Sequence, residues 1–303
     1  AWTGYAALAG APVLPSGRYI ESGAMAGYLL SLVVAWLLLL PMLRARLETG
    51  VWRPAYASLF RASWRSYVML AEAALFTGVF WLLLALCAAL FHTLGIELFR
   101  QLFTDARFIY PATTLAFAVA IQLVGQTDRF VDAVLAQVLG LLKWLAPVAG
   151  LIVVLFTFTL LPRLPALVHS GSRVIDSHYL LWLVAFTVLL LNAAYRDGME
   201  PPGYGRVIRN ALRVVPPLLV IVAGTALFSV VVRIQAVGLT PARYWGLLAA
   251  SFALLYALGY AFACRRAEPW LGDVRRVNAM LAVLLLGVLL LNLTPFGDPV
   301  RWS

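Results

Sequence analysis

Eight apolar stretches, each about as long as a bilayer core is thick, leave this chain few folds to choose from. A helix needs about 20 residues, at about 1.5 Å each, to cross about 30 Å of hydrocarbon. Stretches of that kind occupy 24–43, 66–91, 109–125, 142–161, 178–195, 211–232, 242–264 and 277–295. With 63% hydrophobic and 12% charged residues, the chain has too little polar surface to hide so many apolar helices from water. The expected fold class is therefore all-α: a polytopic transmembrane helical bundle of about eight spans, forming one membrane domain over 1–303. Span limits are punctuated by Pro111 in the first turn of the third stretch and Pro216-Pro217 near the start of the sixth. Thr240-Pro241 reads as N-cap and first helical residue of the seventh, and Asp197-Gly198 followed by Pro201-Pro202 closes the fifth. Residue 1 is Ala, with no charged n-region or cleavage site after it, so the chain reads as an excerpt of a longer one.

Basic residues set an orientation. Fifteen of the 23 lie at the connections after the first, third, fifth and seventh stretches, among them Arg44, Arg61, Arg206 and Arg275, and eight lie on the opposite side. The positive-inside rule puts the richer side in the cytoplasm and both ends of this segment outside. The bias is neutral at the 128–143 connection, which makes the count of spans around 109–161 the weakest point of the topology.

Two connections have the pattern of interfacial helices. Within 128–142, Val131, Val134, Leu135, Val138 and Leu142 recur at helical spacing, with Asp128, Arg129, Asp132 and Gln137 largely off that stripe. Within 94–108, Leu98, Phe99, Leu102 and Phe103 form an apolar face. The inner connection 44–65 interleaves five Arg with aromatics. Trp52, Arg53, Arg61 and Trp64 are its candidate contacts, either with anionic phospholipid headgroups or with an unknown protein partner. The spread of basic residues along span ends gives no nucleic-acid footprint.

Charged or amide side chains inside spans are costly and are functional candidates for that reason. Glu72 is the one acidic residue well inside a stretch, about 9 Å from the inner end of the second. Gln122, Lys143, Asn192 and Asn278 fall at similar inner depths in four other stretches, so five helices are expected to feed one polar cluster, with Lys143 as partner of Glu72. The competing account makes each of them packing glue or a snorkelling end.

No catalytic, cofactor or metal motif accompanies them. There is no Gly-x-Ser-x-Gly, no His-Glu-x-x-His and no phosphate-cradling Gly-rich loop. His169, Asp176 and His178 share an outer connection without any established ligand spacing, and Cys87 and Cys264 have neither disulfide nor metal spacing. No enzyme is expected.

Four segments carry a resemblance. They are Leu191-Asn-Ala-Ala-Tyr-Arg-Asp-Gly198, Gly238-Leu-Thr-Pro-Ala-Arg-Tyr-Trp-Gly246, Arg275-Arg-Val-Asn278 and Leu293-Thr-Pro-Phe-Gly-Asp-Pro299. Together they resemble the DUF4153 family of bacterial inner-membrane proteins, most specifically from about Asn192 onward. The resemblance implies a polytopic membrane protein with further spans beyond this segment, and supplies no catalytic residue. Three roles are consistent with the residues: moving or sensing a small solute through the inner polar cluster, binding a partner or lipid through the Arg- and Trp-rich loop, or interfacial chemistry on a lipid-linked substrate. The last lacks any set of acid, base and nucleophile.

Overall fold

Three of the helices are longer than a bilayer requires, and that decides where the protein builds a second layer. The structure is a computed structural model that describes residues 22–51, 55–93, 97–125, 128–165, 176–196, 203–265 and 273–294. Nine α-helices lie among them: α1 Ser22–Thr49, α2 Tyr56–Thr93, α3 Leu98–Thr104, α4 Ala106–Gly125, α5 Asp128–Leu160, α6 Ser177–Tyr195, α7 Arg206–Val237, α8 Pro241–Ala263 and α9 Val274–Asn292. All but the short α3 are long and apolar enough to cross a membrane. At about 1.5 Å per residue, α2, α5 and α7 reach about 57, 50 and 48 Å, well beyond a core about 30 Å thick.

Short connections make successive spans antiparallel. One face of the bundle, the arginine-rich face, thus holds the ends of α1, α4, α6 and α8 and the starts of α2, α5, α7 and α9. Helix α7 runs through the middle, with Leu219, Val222, Ala223 and Ala226 fully buried against α5, α6 and α8. Alanines at the contacts, such as Ala193 and Ala194 on α6 and Ala257 on α8, let backbones approach closely, as helices in lipid require. Outward surfaces are the reverse of a water-soluble protein's: Leu82 is 68% exposed, and Leu83 and Leu86 beside it, with Leu151, Leu155 and Phe158 on α5, are also bare. Only hydrocarbon satisfies such faces, and the chain is a multi-pass membrane protein.

The helix starts differ from the sequence expectation in an informative way. Pro111 is the sixth residue of α4 rather than part of its first turn, and Pro216-Pro217 sit three turns into α7. Pro147 likewise lies inside α5. Each proline removes one backbone donor, but neighbouring helices hold the segment, so the helices continue through them. Thr240 caps α8 as expected, its hydroxyl accepting from the Arg243 amide, with Pro241 next. Just before it, Gly238 ends α7 at φ 83°, a left-handed conformation that favours glycine.

The amphipathic segment expected at 128–142 is helical and continuous with the span after it, all within α5. Its stripe residues Val131 and Leu135, with Leu139, are buried against Phe60, Trp64 and Val68 at the start of α2. These overhanging ends form the second layer on the arginine-rich face. On the opposite face, the 94–108 stripe divides. Phe99 stacks on Phe91 at 4.4 Å and Phe103 lies 5.3 Å from Phe108, while Leu98 and Leu102 remain exposed.

Candidate functional site

Of the five residues expected to cluster, the structure joins two. Asn192 lies near the end of α6 and Asn278 near the start of α9, and Asn278 Nδ2 donates to Asn192 Oδ1 at 3.2 Å. Two tyrosines complete the arrangement. The Tyr56 hydroxyl donates to Asn192 Oδ1 at 3.1 Å and accepts from Asn278 Nδ2 at 2.9 Å, while the Tyr260 hydroxyl donates to Asn278 Oδ1 at 2.9 Å. Four helices, α2, α6, α8 and α9, are thereby tied at one depth beside the arginine-rich face. Tyr260 is fully buried, and Tyr56 lies 6.3 Å ring to ring from Tyr195.

Donor bookkeeping shows what this network can do. Both Nδ2 hydrogens and the Oδ1 of Asn278 are used, and Asn192 Oδ1 accepts twice. With every hydrogen-bonding group of the Asn278 side chain engaged, the set holds helices together. In lipid an interhelical hydrogen bond contributes about 0.6 kcal/mol on average, whereas a buried orphan costs about 1–3 kcal/mol. Asn278→Leu removes three bonds and strands the Tyr260 hydroxyl, so it should destabilise the bundle by about 2–3 kcal/mol in an unfolding titration. Tyr260→Phe, losing one bond, should cost about 1 kcal/mol. Equal losses from the two variants would show that the network is not coupled.

Glu72, Gln122 and Lys143 lie outside this network. Gln122 is exposed on α4. The ammonium of Lys143 sits over the rings of Trp144 and Tyr204, at 5.6 and 5.4 Å from their centroids, and the Tyr204 hydroxyl bonds the Lys143 carbonyl. Burial in this corner, outside the spans, pushes the Tyr204 hydroxyl up to about 12. The expected Glu72–Lys143 pair is therefore absent. Lys143 lies on the helix turn that meets the 203–205 corner, and its flexible stem carries the charge toward the aromatic rings there.

Glu72 has no substitute hydrogen-bond partner among the described residues, and both its carboxyl oxygens are buried. By register Glu72 lies one turn beyond Val68 on the side of α2 that packs against α5. Arg44 of α1 reaches this part of α2, its Nη1 donating to Ser66 Oγ at 3.2 Å and lying 3.7 Å from Met69 Sδ.

The lipid- or partner-binding loop is also altered. Trp64 is 8% exposed and packed between Phe60 and Tyr67, so it is a core residue and not a free contact. Its place one turn after Phe60 turns it toward α5. Arg61 is exposed on α2, and Trp52 and Arg53 lie outside the described residues.

Sequence reasoning missed a polar group on the opposite face. The Tyr244 hydroxyl donates to Asn292 Oδ1 at 2.8 Å, and Trp245 stands edge-on to Tyr28 of α1. Asn292 Nδ2 and Trp245 Nε1 are buried with no partner among the described residues. Asn292, an amide in the last turn of an apolar span, was the available signal. Nearby, Arg233 donates to Asp176 at 2.8 Å and holds that exposed carboxyl below its ordinary range. With Asp176 so engaged and the His178 ring 4.0 Å from Tyr179, no metal-binding group of three forms among the described residues. His169 lies outside them.

No protein family, curated protein or solved structure matches the chain.

Proposed function

We propose that this chain moves or senses a small solute in a bacterial inner membrane, with Glu72 at the working site. The arginine-rich face is the cytoplasmic one on this reading, and both ends of the segment are periplasmic. The observation that carries the proposal is the Glu72 carboxyl, buried within a span with both oxygens unpartnered. A charged group inside a membrane costs several kcal/mol, so a carboxyl left without a partner among the described residues is a candidate to bind a solute. The Asn and Tyr network lies at the start of α2, about 24 Å along the helix from Glu72, and fixes that end of the bundle. Asn192 and Asn278 fall in the segments that carry the resemblance to the DUF4153 family, which itself supplies no role.

Docking of a lipid or partner on the inner connection is the weaker reading, because Trp64 is spent on the core and leaves Arg61 without its aromatic neighbour. Glu72→Gln keeps the size and removes the charge. In a strain that depends on the protein, the variant should reach normal membrane abundance and fail to restore the wild-type growth phenotype. Full restoration at equal abundance would sink the proposal.

A further inference from the structure

The reading above leaves open what fills the place beside Glu72, and the surrounding groups narrow it. Residues flanking it along α2 are apolar: Val68 and Met69 before, Ala73, Leu75 and Phe76 after. Among the elements that pack on α2, α1 offers Arg44, engaged with Ser66 and Met69, and Arg46, bonded to the Gly50 carbonyl. Glu48, further along α1, is exposed. Helix α4 offers Gln122, neutral and exposed. Helix α5 offers Asp132, exposed, and Lys143, turned to its aromatic rings. The charged groups of α3, Arg100 and its ion-pair partner Glu97 just before the helix, belong to the other end of α2. No side chain among the described residues hydrogen-bonds this carboxyl.

A neutral hydrogen-bonding solute would leave a net negative charge in a low-dielectric setting, where opposite charge is the effective remedy. We infer that Glu72 binds a monovalent positive charge, either a proton or an alkali cation, and that this ion is what the protein senses or moves. The inference rests on the proposed function for its last clause only. Binding itself stands on the burial and isolation of the two oxygens.

The test uses the purified full chain in detergent and dicyclohexylcarbodiimide as probe. The carboxyl proton passes to a carbodiimide nitrogen as the carboxylate oxygen adds to the central carbon, and the adduct rearranges to a stable acylurea with nothing lost. In sodium-free choline buffer, peptide mass analysis should find the adduct on Glu72 and no adduct on that peptide in Glu72→Gln. Slowing of the reaction by rising pH identifies the proton, and slowing by sodium at fixed pH and ionic strength identifies the alkali cation. Labelling that neither condition changes would make Glu72 a permanently neutral structural group and overturn the inference. So would absence of label at every pH. If label then appeared in Arg44→Gln, the Arg44 guanidinium would be the counter-charge. Ion-dependent labelling together with normal growth of Glu72→Gln would keep the site and remove the solute-moving reading.

Discussion

Replacing Trp64 with Ala should destabilise the folded bundle by about 3–5 kcal/mol, the range for emptying a buried aromatic site. Trp64 fills the layer between α2 and α5, with Phe60 on one side and Val131 and Leu135 among its neighbours. Collapse is limited because α2 and α5 are continuous helices held deeper in the membrane by their spans. Trp64→Phe keeps most of the volume and should lose about 1–1.5 kcal/mol. A reversible unfolding titration in mixed micelles reads both. The comparison separates two roles, because a tryptophan whose work is to touch headgroups would leave stability nearly unchanged when removed. A loss under about 1 kcal/mol for Trp64→Ala would return Trp64 to the surface.

Gly259→Val should be comparably damaging for the opposite reason. Gly259 on α8 faces Val277 on α9 so closely that a Cβ would fall within contact distance of both valine methyls, 3.2 Å from Cγ2 and nearer to Cγ1. Overpacking of this kind costs about 1–3 kcal/mol for a methyl or two, and more where neither helix yields. Here neither yields easily, since the flanking residues Tyr260 and Asn278 are bonded to each other across the same interface. Pushing α8 from α9 therefore strains the four-helix network as well. Gly259→Ala should lose about 1–3 kcal/mol, and Val277→Ala added to it should recover at least half of that. Additive losses in the double variant would mean the two residues do not meet.

Both predictions concern features that composition alone could not reveal. The eight spans were legible because hydropathy and length are properties of each segment by itself, and the helix ends at Thr240 and Tyr195 followed from local capping and turn chemistry. Asn192 and Asn278 were legible as members of an expected cluster of five, because an amide in hydrocarbon must find a partner, but not as the two that meet. Their tyrosine partners were not, since Tyr56 and Tyr260 look like the aromatic belt of any membrane protein until the fold brings four helices together. Lys143 was misjudged for the same reason. Depth along a helix can be read from sequence, but the direction in which a flexible stem carries its charge depends on what stands beside it, and the rings of Trp144 and Tyr204 were there. Trp64 was misread because an Arg- and Trp-rich stretch has the same composition whether its aromatic faces headgroups or a neighbouring helix.

Tyr56 and Asn278 are 222 residues apart, yet one hydrogen bond joins the first residue of α2 to the last helix of the segment. A ribosome delivers α2 and α6 well before α9, and α8 just before it. Until then Asn192 and Tyr260 lack the amide that serves both of them. Assembly of this part of the protein is therefore a late event, and the final span acts as the keystone that turns a loose set of inserted helices into one with a defined interior.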